Sequence, residues 1–190
     1  MTVYVWSVPS DYPDSMVGQH QPVGSADYLD YHEAQKLPND YRAMDFVKFE
    51  QPLVKLLRYD YLHSSLGAPL ISPRLRDAVE KAAPGEVQFL PATLVGTDGR
   101  IEDYCVVNAL RKVHAIDWDA SVSKFMTDGV TVGGWRKLVH RPDGMGEVGI
   151  GRDADYIRVI LVSERVKAEL DMGGFKFRGL GLRVSTDIPW

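Results

Sequence analysis

The chain holds a single cysteine, Cys105, among 190 residues. An intrachain disulfide and every zinc pattern built on several cysteines are therefore excluded. Long apolar runs are lacking as well: the longest aliphatic stretch, Val159 to Val162, falls far short of the roughly 20 residues that cross a bilayer. The opening MTVYVWSVPSDYPDS has no basic leader, and its apolar part breaks at Ser7 and Pro9. No signal peptide is expected, and the chain is expected to stay in the cytosol. Basic charge is in short supply, with 22 basic against 26 acidic residues and a net charge of −4. That balance argues against a dedicated nucleic-acid binder.

What is present suits a globular protein. Hydrophobic residues make up 45% and charged residues 25%, close to average usage, which leaves no room for global disorder, a collagen repeat or a coiled coil. The length fits one domain, or a domain with an extension.

The charge is unevenly spread. Residues 1–50 hold three basic residues against eight acidic ones, net −5, which leaves the other 140 at +1. Seven of the nine tyrosines precede residue 62 and interleave with the acids. We expect an acidic, tyrosine-rich N-terminal part, residues 1–64, packed on the same domain as residues 65–190. Within it Ser25 can cap a short helix that stops before Pro38, although a loop fits as well.

The middle of the chain is more explicit. Ser72 is a good N-cap, Pro73 suits the first helical position, and Gly85 follows the last turn. Leu75, Ala78, Val79 and Ala82 form one apolar stripe. Val87 to Leu90 reads as a strand ending near Pro91, and the turn chemistry of Thr97-Asp98-Gly99 joins it to a second strand around Tyr104 to Val107. Val113 to Ile116 predicts a further short strand. Near the C-terminus Tyr156 to Val162 predicts a strand, and Ser163 caps a helix that ends at Gly173-Gly174. Extended structure with glycines at 179 and 181 follows. These elements predict an α+β fold with a mixed or mainly antiparallel sheet and a few packed helices. Cys105 then lies in a strand, as a small buried hydrophobe.

Several motifs bear on chemistry. Gly144-Met145-Gly146-Glu147-Val148-Gly149 has the G-x-G-x-x-G spacing of a dinucleotide loop but lacks the strand before and the helix after that such a loop needs. Val113 to Ser121 ends in D-x-D-x-S. Phosphotransferases of the haloacid dehalogenase type place a nucleophilic and an acid/base aspartate in this way, which assigns those roles to Asp117 and Asp119, with Asp153 and Asp155 as magnesium ligands. The alternative is a turn capped by Asp117 or Asp119. As a calcium loop the segment fails at Val122, where glycine is required. The five histidines are dispersed and make no metal motif. No catalytic residue, metal site or cofactor is assigned.

The stretches Leu70-Ile71-Ser72-Pro73-Arg74-Leu75, Val87-Gln88-Phe89-Leu90-Pro91, Tyr104 with Val107-Asn108, and Ile116 to Ser121 resemble one bacterial family. It is the immunity-protein-like domain of polymorphic toxin systems, of the myxobacterial type. The strand ending at Val162-Ser163 and the helix to Gly173-Gly174 are similar to its C-terminal part, so the resemblance spans about residues 65–185. It departs at Gly149-Ile150-Gly151-Arg152, where the family has an apolar or aromatic residue before arginine. The resemblance implies a cytosolic protein that neutralises a cognate toxin or effector by binding it. It implies no catalytic residue; from the charge balance and the short apolar runs neither nucleic acid nor membrane is expected as partner, and a homo-oligomer is left open.

A binding protein needs a distinctive surface, and the acidic N-terminal part offers carboxylates to steer a basic partner and tyrosines for rigid contact area. Tyr28, Asp30, Tyr31, Asp40 and Tyr41 are the candidate partner-binding residues. The competing reading places the tyrosines half-buried in packing. The competing function is a magnesium-dependent phosphate-processing enzyme using Asp117 and Asp119.

Overall fold

A computed structural model describes residues 1–21, 28–38, 41, 46–65, 67–127, 129, 132–172, 174 and 176–188, with only the backbone of residues 28 and 29. Its strands are β1 (Val3–Ser7), β2 (Gln19–Gln21), β3 (Phe46–Lys48), β4 (Tyr61–Leu62), β5 (Leu70–Ile71), β6 (Val87–Gly96), β7 (Gly99–Ala109), β8 (Lys112–Val113), β9 (Val122–Phe125), β10 (Val132–Lys137), β11 (Ile150–Asp153), β12 (Ile160–Ser163) and β13 (Gly181–Val184). The helices are α1 (Leu53–Leu56), α2 (Pro73–Ala82) and α3 (Glu164–Met172). The architecture is α+β. One sheet runs β13-β1-β12-β11-β8, a second runs β2-β3-β6-β7-β5-β4, and β9 with β10 makes a separate two-stranded sheet. Pairing is antiparallel except between β8 and β11 and between β3 and β6.

Local chemistry explains the clearest elements. The Ser72 hydroxyl accepts from Leu75 N at 3.3 Å, Pro73 opens α2, and Gly85 takes φ +71° just past its end. Leu75, Val79 and Ala82 form its buried stripe. Ser163 caps α3 through Val166 N at 3.4 Å. Thr97 and Asp98 turn β6 into β7, with Gly96 opposite Gly99.

Three boundaries differ from the sequence reading. β6 continues through Pro91 to Gly96, because β3 joins it only at Leu94 and Val95. At Pro91 it is bonded on one side alone, where a missing N–H is tolerated. The strand expected from Tyr156 is Ile160–Ser163; Tyr156 N instead donates to Asp153 Oδ1 at 3.2 Å, closing a turn. The strand at Val113 covers Lys112–Val113, with a separate bridge between Ile116 and His140. Tyr28–His32 is a short 3-10 helix, and Ser25 lies outside the described residues.

Alternation along β7 divides the core. Cys105, Val107 and Ala109 face α2, α3 and the inner face of the first sheet, where Trp6, Ile150, Ile160 and Val162 are buried. Tyr104 and Val106 face the opposite way, onto Met16, Tyr31, Leu37, Phe49, Leu56 and Tyr59. Each of the larger aliphatic and Phe side chains among these contributes on the order of 1.5–3 kcal/mol by leaving water. A single strand thus packs against the two longer helices and the first sheet on one face and against N-terminal residues on the other. Residues 1–64 contribute β2, β3 and β4 to the six-stranded sheet and cover one of its faces with Met16, Tyr31, Leu37, Leu56 and Tyr59, while β1 lies between β12 and β13.

Candidate contact surfaces

The carboxylates of the D-x-D motif sit on a turn. Asp117 Oδ1 accepts from Ala120 N at 3.0 Å, and Ser121 N donates to Asp117 O at 3.0 Å. Asp117 therefore caps the turn, while Asp119 is exposed. Asp153 is fully buried and accepts four backbone N–H bonds: Ala115 and Ile116 on Oδ2, Asp155 and Tyr156 on Oδ1. Burial raises its pKa, and the N–H donors pull against that rise. Its geometry stitches the segment after β8 to the end of β11. Asp155 Oδ2 accepts from Trp118 Nε1 at 3.3 Å. Among the described residues no three His, Cys, Asp or Glu side chains gather as metal ligands.

The glycine motif at 144–149 is a run of turns leading into β11. Gly144 lies against Ala115, where a Cβ would come within 2.6 Å. Gly149 N and Ile150 N donate to Glu86 Oε2 at 2.8 and 2.7 Å. The glycines serve close packing, and no helix N-terminus follows to receive a pyrophosphate. Cys105 is buried, and burial pushes its thiol up to about 12. A thiol so protonated is a poor nucleophile at neutral pH.

The N-terminal candidates separate by burial. Tyr31 is 1% exposed; its ring packs edge-on against Tyr41 at 5.9 Å. The expectation of an exposed Tyr31 ring is thereby corrected, because the ring fills the second core. Tyr59 is buried in the same core, and Tyr61 in the other, edge-on to Trp6. Tyr41 is half-buried and its hydroxyl donates to Asp30, itself half-buried. Tyr28 has only its place in the 3-10 helix described, and Asp40 lies outside the described residues. Asp11, Asp14, Glu33 and Glu50 are exposed acids of this part.

An apolar surface that the sequence reading missed lies elsewhere. Trp118, Val122, Phe125 and Met126 are 47%, 47%, 56% and 56% exposed. Val122 and Phe125 belong to β9, which among the described residues pairs with β10 alone. Against Trp118, at 5.3 Å between ring centroids, Trp135 is fully buried with Ile116 and Leu138, and it lies edge-on to Tyr156 at 5.7 Å. The one signal for it in the sequence is a cluster of large apolar residues around Lys124 that fits no strand of the main sheets.

A model of the immunity protein family (Imm11) matches residues 13–187. No curated protein matches the chain. The match covers the span of the sequence resemblance and continues through most of the acidic N-terminal part.

Proposed function

From the premise that the chain belongs to the immunity protein family, we propose that it neutralises a cognate toxin or secreted effector by binding it in the bacterial cytoplasm. The family match over nearly the whole chain carries this reading. Two features support it. Asp117 and Asp153, which a phosphoryl-transfer reading would use, hold backbone N–H groups instead. The charge of residues 1–50, net −5, suits long-range steering of a basic partner.

We assign partner contact in this part to Asp30 and Tyr41, with Tyr28 and Asp40 beside them in sequence and Tyr31 supporting Tyr41 from beneath. The Tyr41–Asp30 hydrogen bond presents a ring edge and a carboxylate as one unit.

The test is co-expression with the toxin encoded beside this gene. Rescued growth together with a co-purifying complex supports the reading. Growth arrest with no complex overturns it. The enzyme alternative is checked by a magnesium-dependent phosphatase assay on wild type and Asp117→Asn; activity lost in the variant would replace immunity with catalysis.

A further inference from the structure

We propose that the recess between the turn at residues 9–13 and the turn at residues 176–180 receives a loop of the toxin, an inference that rests on the toxin-binding reading and names the place and chemistry of one contact. The loop sets an apolar side chain against Tyr12, Tyr59 and Phe177, a carboxylate on Arg178 and a basic group on Asp11.

The recess has a volume of about 450 Å³, within the range of ligand-binding clefts. Pro9, Tyr12, Pro13 and Tyr59 line it from the N-terminal part, and Phe177 and Leu180 from the C-terminal part. Both sides are held in place. Tyr12 N donates to Pro9 O at 3.1 Å, while the Tyr12 hydroxyl donates to Met16 O at 3.0 Å and accepts from His63 N at 3.1 Å. On the other side Leu180 N donates to Phe177 O at 3.3 Å, and Arg178 O accepts from Asp60 N and Tyr61 N. The Arg178 guanidinium lies 4.5 Å from the centre of the Tyr59 ring. Tyrosine and arginine are among the residue types that carry most binding energy at protein interfaces. Walls already fixed lose little freedom when a partner enters.

The charges of the lining are two cations, Lys176 and Arg178, on one turn and one carboxylate, Asp11, on the other. All three are exposed, and among the described residues none belongs to an ion pair. Asp60 nearby is already taken up by Arg74, Ser72 and Arg178 N. Opposite signs on opposite walls fit a segment that carries both signs, and a guanidinium takes a carboxylate through two N–H groups. Asp11 belongs to the acidic part that attracts the toxin over distance, so its basic contact continues that attraction at short range. The occupant is a polypeptide because the recess does not end at Phe177. That ring also lines a groove between α2 and α3 and a recess beside α3. There Asp77, Glu169 and Asp171 pair with Arg76, Arg165 and Lys167, and Arg74 with Asp60. Lys81 is the one further unpaired charge among the described residues of those two linings. Connected recesses of this kind suit an extended chain.

The test measures binding of the full chain to the purified toxin domain encoded beside this gene, for wild type, R178E, K176E, D11K and R100E. Arg178 stacks on Tyr59, so R178E is read together with its melting temperature. Lys176 and Asp11 are exposed and outside any ion pair among the described residues, so K176E and D11K should melt as wild type does and decide the matter if R178E unfolds. R178E and D11K should each dissociate about tenfold faster or more, and K176E about threefold faster. R100E makes the same charge change as K176E at the exposed start of β7 and should bind within about twofold of wild type. Reversals at 11, 176 and 178 that all bind within about twofold of wild type overturn the inference and leave the immunity reading standing. Weakening by R100E as large as that by K176E overturns it in favour of a net-charge effect. A wild-type chain that does not bind the toxin overturns both readings. A dimer in sedimentation that K176E renders monomeric overturns the inference in favour of a second copy.

Discussion

Asp60 and Arg74 form a two-point ion pair, with Arg74 Nε 2.9 Å from Oδ1 and Nη2 2.5 Å from Oδ2. Asp60 also accepts from the Ser72 hydroxyl at 3.0 Å and Arg178 N at 2.9 Å. The side chain is 9% exposed, and it ties the N-terminal part to the start of α2 and to the segment before β13. Burial alone would raise its pKa, but Arg74, the Arg178 N–H and Ser72 outweigh burial and hold it below its ordinary value.

Asp60→Asn keeps the shape but removes the charge that three elements converge on. The expected loss is about 2–3 kcal/mol of stability at neutral pH, read by urea unfolding. Because the native pKa is depressed, the contribution is complete above the unfolded value near 3.8 and is lost as pH falls through the native one. The variant and wild type should therefore converge in stability in strong acid. A gap that stays constant to low pH would refute the electrostatic account.

His140 gives a pH dependence at milder acidity. It is 9% exposed, neither ring nitrogen has a hydrogen-bond partner among the described residues, and burial lowers its pKa from 6.5 to about 4. The unfolded chain takes up the proton first, so stability declines as pH drops from 6.5 to 4, by about 3 kcal/mol at most. His140→Leu forfeits no hydrogen bond and should flatten that decline. His63, whose pKa burial also lowers, retains its own share of the slope. Unfolding midpoints across this range check both statements.

Gly179 has φ +90°, and a Cβ there would lie 2.2 Å from Tyr61 O. Asp60 N and Tyr61 N both donate to Arg178 O, so the backbone approach is fixed from both sides. Gly179→Ala should cost about 2–4 kcal/mol, combining left-handed strain with a backbone clash. A melting temperature within a degree or so of wild type would show that the loop yields freely.

Charge reversal at Asp30 and Asp40 tests the acidic side. With a basic partner it should slow association by about threefold to tenfold at low salt and weaken the salt dependence, with dissociation little changed. Unchanged association rates would remove these carboxylates from the contact surface.

The legible parts of the fold were those whose signals are local. Ser72, Pro73 and Gly85 delimit α2 by capping and backbone chemistry, and Thr97-Asp98 turns a hairpin whatever lies beyond it. The paired halves of the main sheets were not legible, since β1 meets residues more than 150 positions away. The tyrosines misled for a physical reason: an amphipathic ring reads alike whether its body packs inward, as in Tyr31, or lies half-covered, as in Tyr41. Asp117 was legible as a cap because its acceptor serves N–H groups three residues away. Phe125 and Met126 were not legible as surface, because exposure is what long-range packing leaves uncovered.

The place of β1 has a consequence for the order in which the protein forms. Its ladder partners include Leu161 to Ser163 on one side and Gly181 to Val184 on the other. At ~5–20 residues per second of synthesis, a nascent β1 waits on the order of ten to forty seconds for its second neighbour. For most of that interval Val3, Val5 and Trp6 lack both strands that flank them. A newly made chain is therefore most open to chaperones and to misassociation along β1, and the five-stranded sheet closes only once residues 181–184 have been made.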